Sequence, residues 1–179
     1  MARQGMLLVY TGNGKGKTTA SLGITLRAIG RGMSVKYFQF IKSPERTYGE
    51  QIALRKLGVE MVQLGVGFTW TKTPEEHREA LKNAWITVKA ALLDPSIDVL
   101  VLDELNNALA ITRFPVDDVL PVAEVLDAIK NRPKTMHVVV TGRSAHPSLI
   151  ALADLVSTID VTKHYYEEQD VKAMKGLEF

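Results

Sequence analysis

The chain has 179 residues, 46% of them apolar and 23% charged, with a formal net charge of +2. That length suits one domain with a full core, and so small a charge does not by itself imply a nucleic-acid partner. There are no cysteines, which excludes disulfides, thiolate zinc sites and a cysteine nucleophile and fits a reducing cytoplasm. No apolar run approaches the roughly 18 residues of a membrane span. Met1-Ala-Arg-Gln-Gly5 leads straight into an apolar stretch, without the pattern of a signal peptide. A cytoplasmic protein with neither a membrane nor a nucleic-acid partner is therefore expected.

The apolar run Leu7-Leu8-Val9-Tyr10 reads as a buried strand, followed by Thr11-Gly-Asn-Gly-Lys-Gly-Lys-Thr-Thr19. Ala20, Leu22, Ile24, Leu26, Ala28 and Ile29 then have the spacing of a helix packed back on a sheet. Strand, glycine-rich turn, Gly-Lys-Thr and helix make a phosphate-binding P-loop. Glycines let backbone N–H groups close around oxyanions, and the helix N-terminus adds roughly half a positive charge. Lys17 supplies a full charge, and the Thr18 hydroxyl is placed to ligate Mg²⁺. The spacing departs from the usual G-x-x-x-x-G-K-[ST]. Counting back from Gly16 puts Thr11 where the first glycine belongs, and from Gly12 the loop is one residue short.

Farther along, Gly30-Arg31-Gly32 stops the first helix, and Ser34 to Lys42 reads as a second strand. A polar loop, a short helix ending near Leu57-Gly58 and a third strand over Val59 to Leu64 follow. Gly65-Val-Gly-Phe-Thr-Trp-Thr-Lys72 is a loop carrying two large aromatics. Thr73-Pro-Glu-Glu76 starts a helix with a capping box and proline at its first position. The stripe Ala80, Leu81, Ala84, Trp85, Val88, Ala91 and Leu92 faces the core. Asp98 to Glu104 is a buried strand ending in two carboxylates, which a parallel sheet delivers to its nucleotide edge. The segment 114–118 reads as irregular or short helix, Pro121 to Ile129 as a helix, Met136 to Thr141 as a buried strand with Gly142-Arg143 at the same edge. Pro147 to Ala153 reads as a short helix, Leu155 to Ile159 as a last strand, and Lys163 to Phe179 as a polar tail. Strands alternate with helices throughout, which predicts an α/β fold with a mostly parallel sheet and helices on both faces, in one domain over residues 1–179. The four histidines (His77, His137, His146 and His164) have no metal-ligand spacing and read as structural. From these residues alone, a P-loop kinase or ATPase and a non-catalytic ATP-binding module both remain open.

Several separated segments narrow the choice. The string Gly12 to Thr19, Gln39-Phe-Ile-Lys42, Gly67-Phe-Thr-Trp70, Leu102-Asp-Glu-Leu105, Asn131-Arg-Pro133, Val140-Thr-Gly-Arg143 and Lys175-Gly-Leu-Glu-Phe179 together resemble the P-loop corrinoid adenosyltransferases, the ATP:cob(I)alamin adenosyltransferases of the CobA/CobO/BtuR type. The short loop is that family's own form, and the resemblance covers essentially the whole chain. It implies a RecA-like P-loop fold, a homodimer, and transfer of the 5′-deoxyadenosyl group of ATP to Co(I) of a corrinoid with release of triphosphate. In that family ATP lies reversed in the loop relative to NTP hydrolases, which suits a reaction at C5′.

The resemblance also implies the site. ATP contacts are expected from Gly12, Asn13, Gly14, Lys15, Gly16, Lys17, Thr18 and Thr19, with Arg143 at the same edge. Mg²⁺ is expected on Thr18 and Glu104, with Asp103 bound directly or one step removed. Lys17 is expected to act in catalysis by neutralising triphosphate. Phe68 and Trp70, alone, read as aromatics that pin a loop. The resemblance assigns them instead to the lower corrin face, where they hold an axial ligand off cobalt. An external reductase must supply the electron that makes Co(I), because the chain has no flavin or iron–sulfur motif.

Overall fold

The computed structural model describes residues 4–45, 47–67 and 72–178. Six strands form one sheet in the order β3-β2-β4-β5-β1-β6. They are β1 (Leu7–Thr11), β2 (Val35–Gln39), β3 (Met61–Gln63), β4 (Val99–Asp103), β5 (His137–Thr141) and β6 (Leu155–Thr158). Every pairing is parallel, so the expected mostly parallel sheet is wholly parallel.

Side chains alternate across such a sheet, and both faces are apolar. Leu100 and Leu102 of β4, Val138 and Val140 of β5, and Leu7 and Val9 of β1 point to one side. There they meet α3 (Pro74–Leu92), α5 (Val122–Lys130) and α6 (Pro147–Leu152). Val99, Val101, Val139, Tyr37 and Met61 point to the other, under α1 (Lys17–Ile29) and α2 (Gly49–Lys56). Two-sided burial is why the central strands read as continuous apolar runs rather than alternating ones.

The start of α3 follows the local rule. The Thr73 hydroxyl accepts from the Glu76 N–H, and the Glu76 carboxylate accepts from the Thr73 N–H at 2.8 Å. Trp85 lies in the core at 2% exposure. β2 to β6 are each shorter than the sequence suggests, because the chain turns at the sheet edge where pairing stops, whereas β1 runs one residue past its apolar run to Thr11. Two short helices have no counterpart in the sequence reading: α4 (Leu105–Leu109), directly after β4, and α7 (Tyr165–Gln169) in the tail. Residues 114–118 are irregular.

All six strands end at one edge on a polar residue: Thr11, Gln39, Gln63, Asp103, Thr141 and Thr158. The loops after β2 and β3 leave this edge side by side. The Leu64, Gly65 and Gly67 N–H groups donate to the carbonyls of Gln39, Lys42 and Ile41. A Cβ on Gly65 would strike the Ile41 carbonyl and lie 2.5 Å from the Phe40 oxygen. Gly65→Ala must therefore spread the two loops. Its urea midpoint should fall by an amount equivalent to roughly 1–3 kcal/mol, and an unchanged midpoint would mean that the loops part without cost.

Candidate active site

The site is built on β1, β4 and β5 and the loops that leave them. Between β1 and α1 the chain turns through Gly12 to Gly16. Gly12 has a φ of 96°, in the left-handed region, and a Cβ there would lie 2.5 Å from the Ile159 carbonyl oxygen. The Gly14 N–H donates to the same carbonyl at 2.7 Å. The loop thus leans on the chain just past β6, and side chains at positions 12 and 14 would push it off. Thr11, standing where a standard loop has glycine, is buried, and its hydroxyl accepts from the Ala145 N–H at 3.2 Å.

Gly16 is the N-cap of α1 and has no side chain to satisfy the free N–H groups of the first turn. Those donors, with the helix dipole, suit an anion. The Lys17 ammonium donates to the Gly14 carbonyl at 2.5 Å. Burial, then the Arg143 charge, hold Lys17 below the usual lysine value, while Glu104 and Asp103 act to raise it.

Asp103, fully buried at the end of β4, is the centre of the cluster. One carboxylate oxygen accepts from the Thr18 hydroxyl at 3.0 Å and the Thr141 hydroxyl at 2.6 Å; the other accepts from the Gln39 amide at 3.0 Å. Burial pushes its carboxyl above the ordinary value, and these three donors work against that rise. Glu104 follows with φ 61° and ψ 17°, a left-handed conformation that a non-glycine residue adopts at a cost of about 1–2 kcal/mol. Its N–H donates to the Thr141 hydroxyl at 3.0 Å. Burial and the adjacent Asp103 charge push Glu104 up to about 7, against the pull of Lys42, Lys17 and Arg143.

The unforeseen α4 has a clear task. The Asn106 side-chain amide donates to the Gly142 carbonyl at 3.1 Å, and the Asn107 side-chain oxygen Oδ1 accepts from the Arg143 backbone N–H at 2.6 Å. These bonds hold the backbone of Gly142 and Arg143 at the carboxyl edge of the sheet. On the β2 side, Lys42 and Glu50 form a mostly buried pair at 2.7 Å, with the Lys42 ammonium 4.2 Å from the centre of the Tyr48 ring. Burial works to lower the Lys42 ammonium, but Glu50 and the Asp103 and Glu104 charges together hold it above the usual lysine value.

The structure therefore brings together Lys17, Thr18, Asp103, Glu104 and Arg143 from three separate segments. Phe68 and Trp70 lie outside the described residues. Reading the sequence alone assigns no role to Thr141, Gln39 or Asn107. Gln39 and Thr141 carry a usable signal, since each is a polar residue at the carboxyl end of a buried strand, like Asp103. The histidines have structural partners: His77 stacks on Phe114, His137 accepts from the Met6 N–H, and His146 and His164 cap helices. Among the described residues, no group of three or more His, Asp or Glu gathers as a metal cluster, and no helix is long and apolar enough to cross a membrane.

Residues 3–179 match the family described as ATP:corrinoid adenosyltransferase BtuR/CobO/CobP. The chain belongs to this family. It is 40% identical to the corrinoid adenosyltransferase of Escherichia coli K12, over 98% of this chain and 86% of that one. Identity and coverage are the same for the corrinoid adenosyltransferase CobA of Salmonella typhimurium LT2. The Pseudomonas aeruginosa corrinoid adenosyltransferase is 41% identical over 98% of this chain and 84% of its own. In fold, this corrinoid adenosyltransferase chain is similar to the flagellar accessory protein FlaH of Methanocaldococcus jannaschii, with a TM-score of 0.56 at 12% identity over 87% of this chain and 71% of that one. A KaiC-like protein of Pyrococcus horikoshii gives 0.55 at 15% identity, over 90% and 75%. The α/β RecA-like P-loop fold is thus shared well beyond the adenosyltransferases.

The raised Glu104 makes a signed prediction. A carboxyl raised in the folded state stabilises the fold below its unfolded value, and that contribution is lost as pH rises through the folded value. In chelator-treated buffer, wild-type protein should lose on the order of 2 kcal/mol relative to Glu104→Gln as pH rises from 4.5 to about 7. Urea midpoints of the two proteins across that range measure it. A difference that does not change with pH would mean that Glu104 carries no such burden.

Proposed function

We propose that the P-loop holds the triphosphate of ATP while Co(I) of a corrinoid attacks C5′ of the ribose. The cobalt–carbon bond forms with the electron pair of Co(I), the C5′–O bond breaks, and triphosphate leaves with the bonding pair. The observation that carries this reading is the Thr18–Asp103 bond, which ties the P-loop helix to the acidic end of β4.

Co(I) is already a strong nucleophile, so no general base is required. That agrees with a site in which the histidines are engaged elsewhere. What the protein must supply is alignment and neutralisation of the leaving charge. Lys15, Lys17, Arg143, the N–H groups of residues 12–19 and the start of α1 are the groups for that charge. The donor set also suits a hard cation. Thr18 and Glu104 offer oxygens, and the two adjoining carboxylates are raised by burial, a strain that a cation would relieve. Asp103 already accepts three hydrogen bonds, so it acts best by aiming the Thr18 lone pairs outward. Mg²⁺ held there would neutralise triphosphate oxygens.

Phe68 and Trp70 are proposed to lie against the lower corrin face and keep an axial donor off cobalt. An axial electron pair raises the orbital that must accept the next electron, so its removal eases reduction of Co(II) to Co(I). An external reductase supplies that electron. The remaining expectations are also proposals: that residues 1–179 act as one domain and that the protein works in the cytoplasm rest on composition and sequence pattern, and that it is a homodimer rests on the family reading.

Phe68→Ala and Trp70→Ala should each reduce turnover from Co(II) by about tenfold or more relative to turnover from chemically prepared Co(I), with ATP affinity retained. Turnover from the two oxidation states, with ATP binding measured alongside, tests this. Equal losses from both states would reduce the pair to positioning the corrin, and no loss from either would leave them as aromatics that pin a loop.

A further inference from the structure

The tail after α7 folds back onto the P-loop and ends in a turn over 175–178. In that turn the Leu177 and Glu178 N–H groups donate to the Met174 carbonyl. This fixes the direction of the Glu178 side chain. One of its carboxylate oxygens accepts from the Lys15 ammonium, and the other accepts from the Tyr165 hydroxyl. The Lys15 nitrogen also sits 5.9 Å from the centre of the Tyr165 ring. Glu178 is four-fifths buried at 19% side-chain exposure, whereas Lys15 is nearly half exposed at 47%. The carboxylate is therefore built in, held at both oxygens, while the ammonium stays open to solvent at the mouth of the loop. The bonds from Lys15 and Tyr165 hold the Glu178 carboxyl below the usual range, so it carries its charge at neutral pH.

We propose that Glu178, fixed by Tyr165, is the resident counter-ion of Lys15, and that it competes with the phosphates of bound polyphosphate for that ammonium. Lys15 lies inside the Gly12–Thr19 loop, between Gly14 and Gly16, so an oxyanion cradled there approaches a lysine already paired with a carboxylate. Two anions on one ammonium repel each other. The tail carboxylate thus lowers the affinity of the loop for triphosphate chains, and re-forming its bond to Lys15 favours their release. Triphosphate is a product of the proposed reaction, and a loop with several cations would otherwise hold it tightly. Glu178 is on this view a positioning residue: it acts on phosphate through Lys15.

The proposal rests on the reading that the P-loop holds the triphosphate of ATP, and the two can fail separately. The experiment is calorimetric titration of the full chain with inorganic tripolyphosphate and with Mg²⁺ATP. Glu178→Gln keeps the shape of the side chain and removes its charge. It should bind tripolyphosphate about three- to tenfold more tightly than wild type. In a Lys15→Ala background the same substitution should have no effect. A tail that served only to brace the loop would give the opposite sign, since loosening it weakens binding. Unchanged or weaker binding by Glu178→Gln, or tightening that persists without Lys15, would overturn the proposal. Lys17→Ala is the control for the parent reading: it should lose binding, and a Lys17→Ala protein with wild-type affinity would overturn the placement of triphosphate in the loop.

Discussion

A single buried carboxylate ties the elements of this site to one another. Asp103 has no solvent exposure and accepts hydrogen bonds from Thr18 on α1, Thr141 on β5 and Gln39 on β2. Burying a charge costs several kcal/mol unless donors replace the lost water. Here the replacements come from three different elements, so the ion is tolerable only when all three are in register. The fold meets that demand through its order of strands. β4 lies between β2 and β5, with Gln39 opposite Asp103 and Leu102 opposite Val140. The crossover from β1 carries α1 over the sheet and sets Thr18 above the same carboxylate. Packing of the apolar strands therefore also brings Gln39, Thr141 and Thr18 to Asp103.

The same cluster extends to its neighbours. Thr141 donates to Asp103 and accepts from the Glu104 N–H, which helps hold Glu104 in its left-handed conformation. That conformation turns the chain from β4 into α4, whose Asn107 fixes Arg143. Strain at Glu104 and the repulsion between adjacent carboxylates are costs that the interior packing of β4 must outweigh. Leu100, Leu102 and Leu105 around them are fully buried. Opposite this acidic edge stand Lys15, Lys17, Lys42 and Arg143. Two of the lysines already hold carboxylates, Lys42 with Glu50 and Lys15 with Glu178, so the positive charge at this edge is graded, not uniform.

Much of the fold was legible because its strands are buried on both faces. Continuous runs such as Val99 to Leu102 and Val138 to Val140 have few other readings when helical stripes lie between them. The start of α3 was legible to the residue, because Thr73, Pro74 and Glu76 encode the cap chemically. α4 and α7, each five residues long, were not legible, since a helix of barely more than one turn shows no periodicity. In the site, Lys17, Thr18, Asp103 and Glu104 stood out through local motifs. Thr141, Asn107 and Glu178 did not, because each acts on a residue 36 or more positions away, through contacts that only the folded chain creates. The strand ends carried an unused hint: a polar residue closing every apolar strand marks the shared edge as a site.

The measurement that bears most directly on this arrangement is the stability of Asp103→Asn, with and without saturating Mg²⁺ATP. Asparagine keeps the shape but removes the charge and puts an NH₂ donor where one of the two acceptor oxygens stood. Stability without ligand should fall on the order of 2–4 kcal/mol, and the gain on adding ATP, large for wild type, should nearly vanish. Both should fall together, because one carboxylate serves packing and phosphate site alike. A variant with wild-type stability, or one that is destabilised yet gains as much from ATP as wild type does, would contradict the claim that Asp103 joins the two.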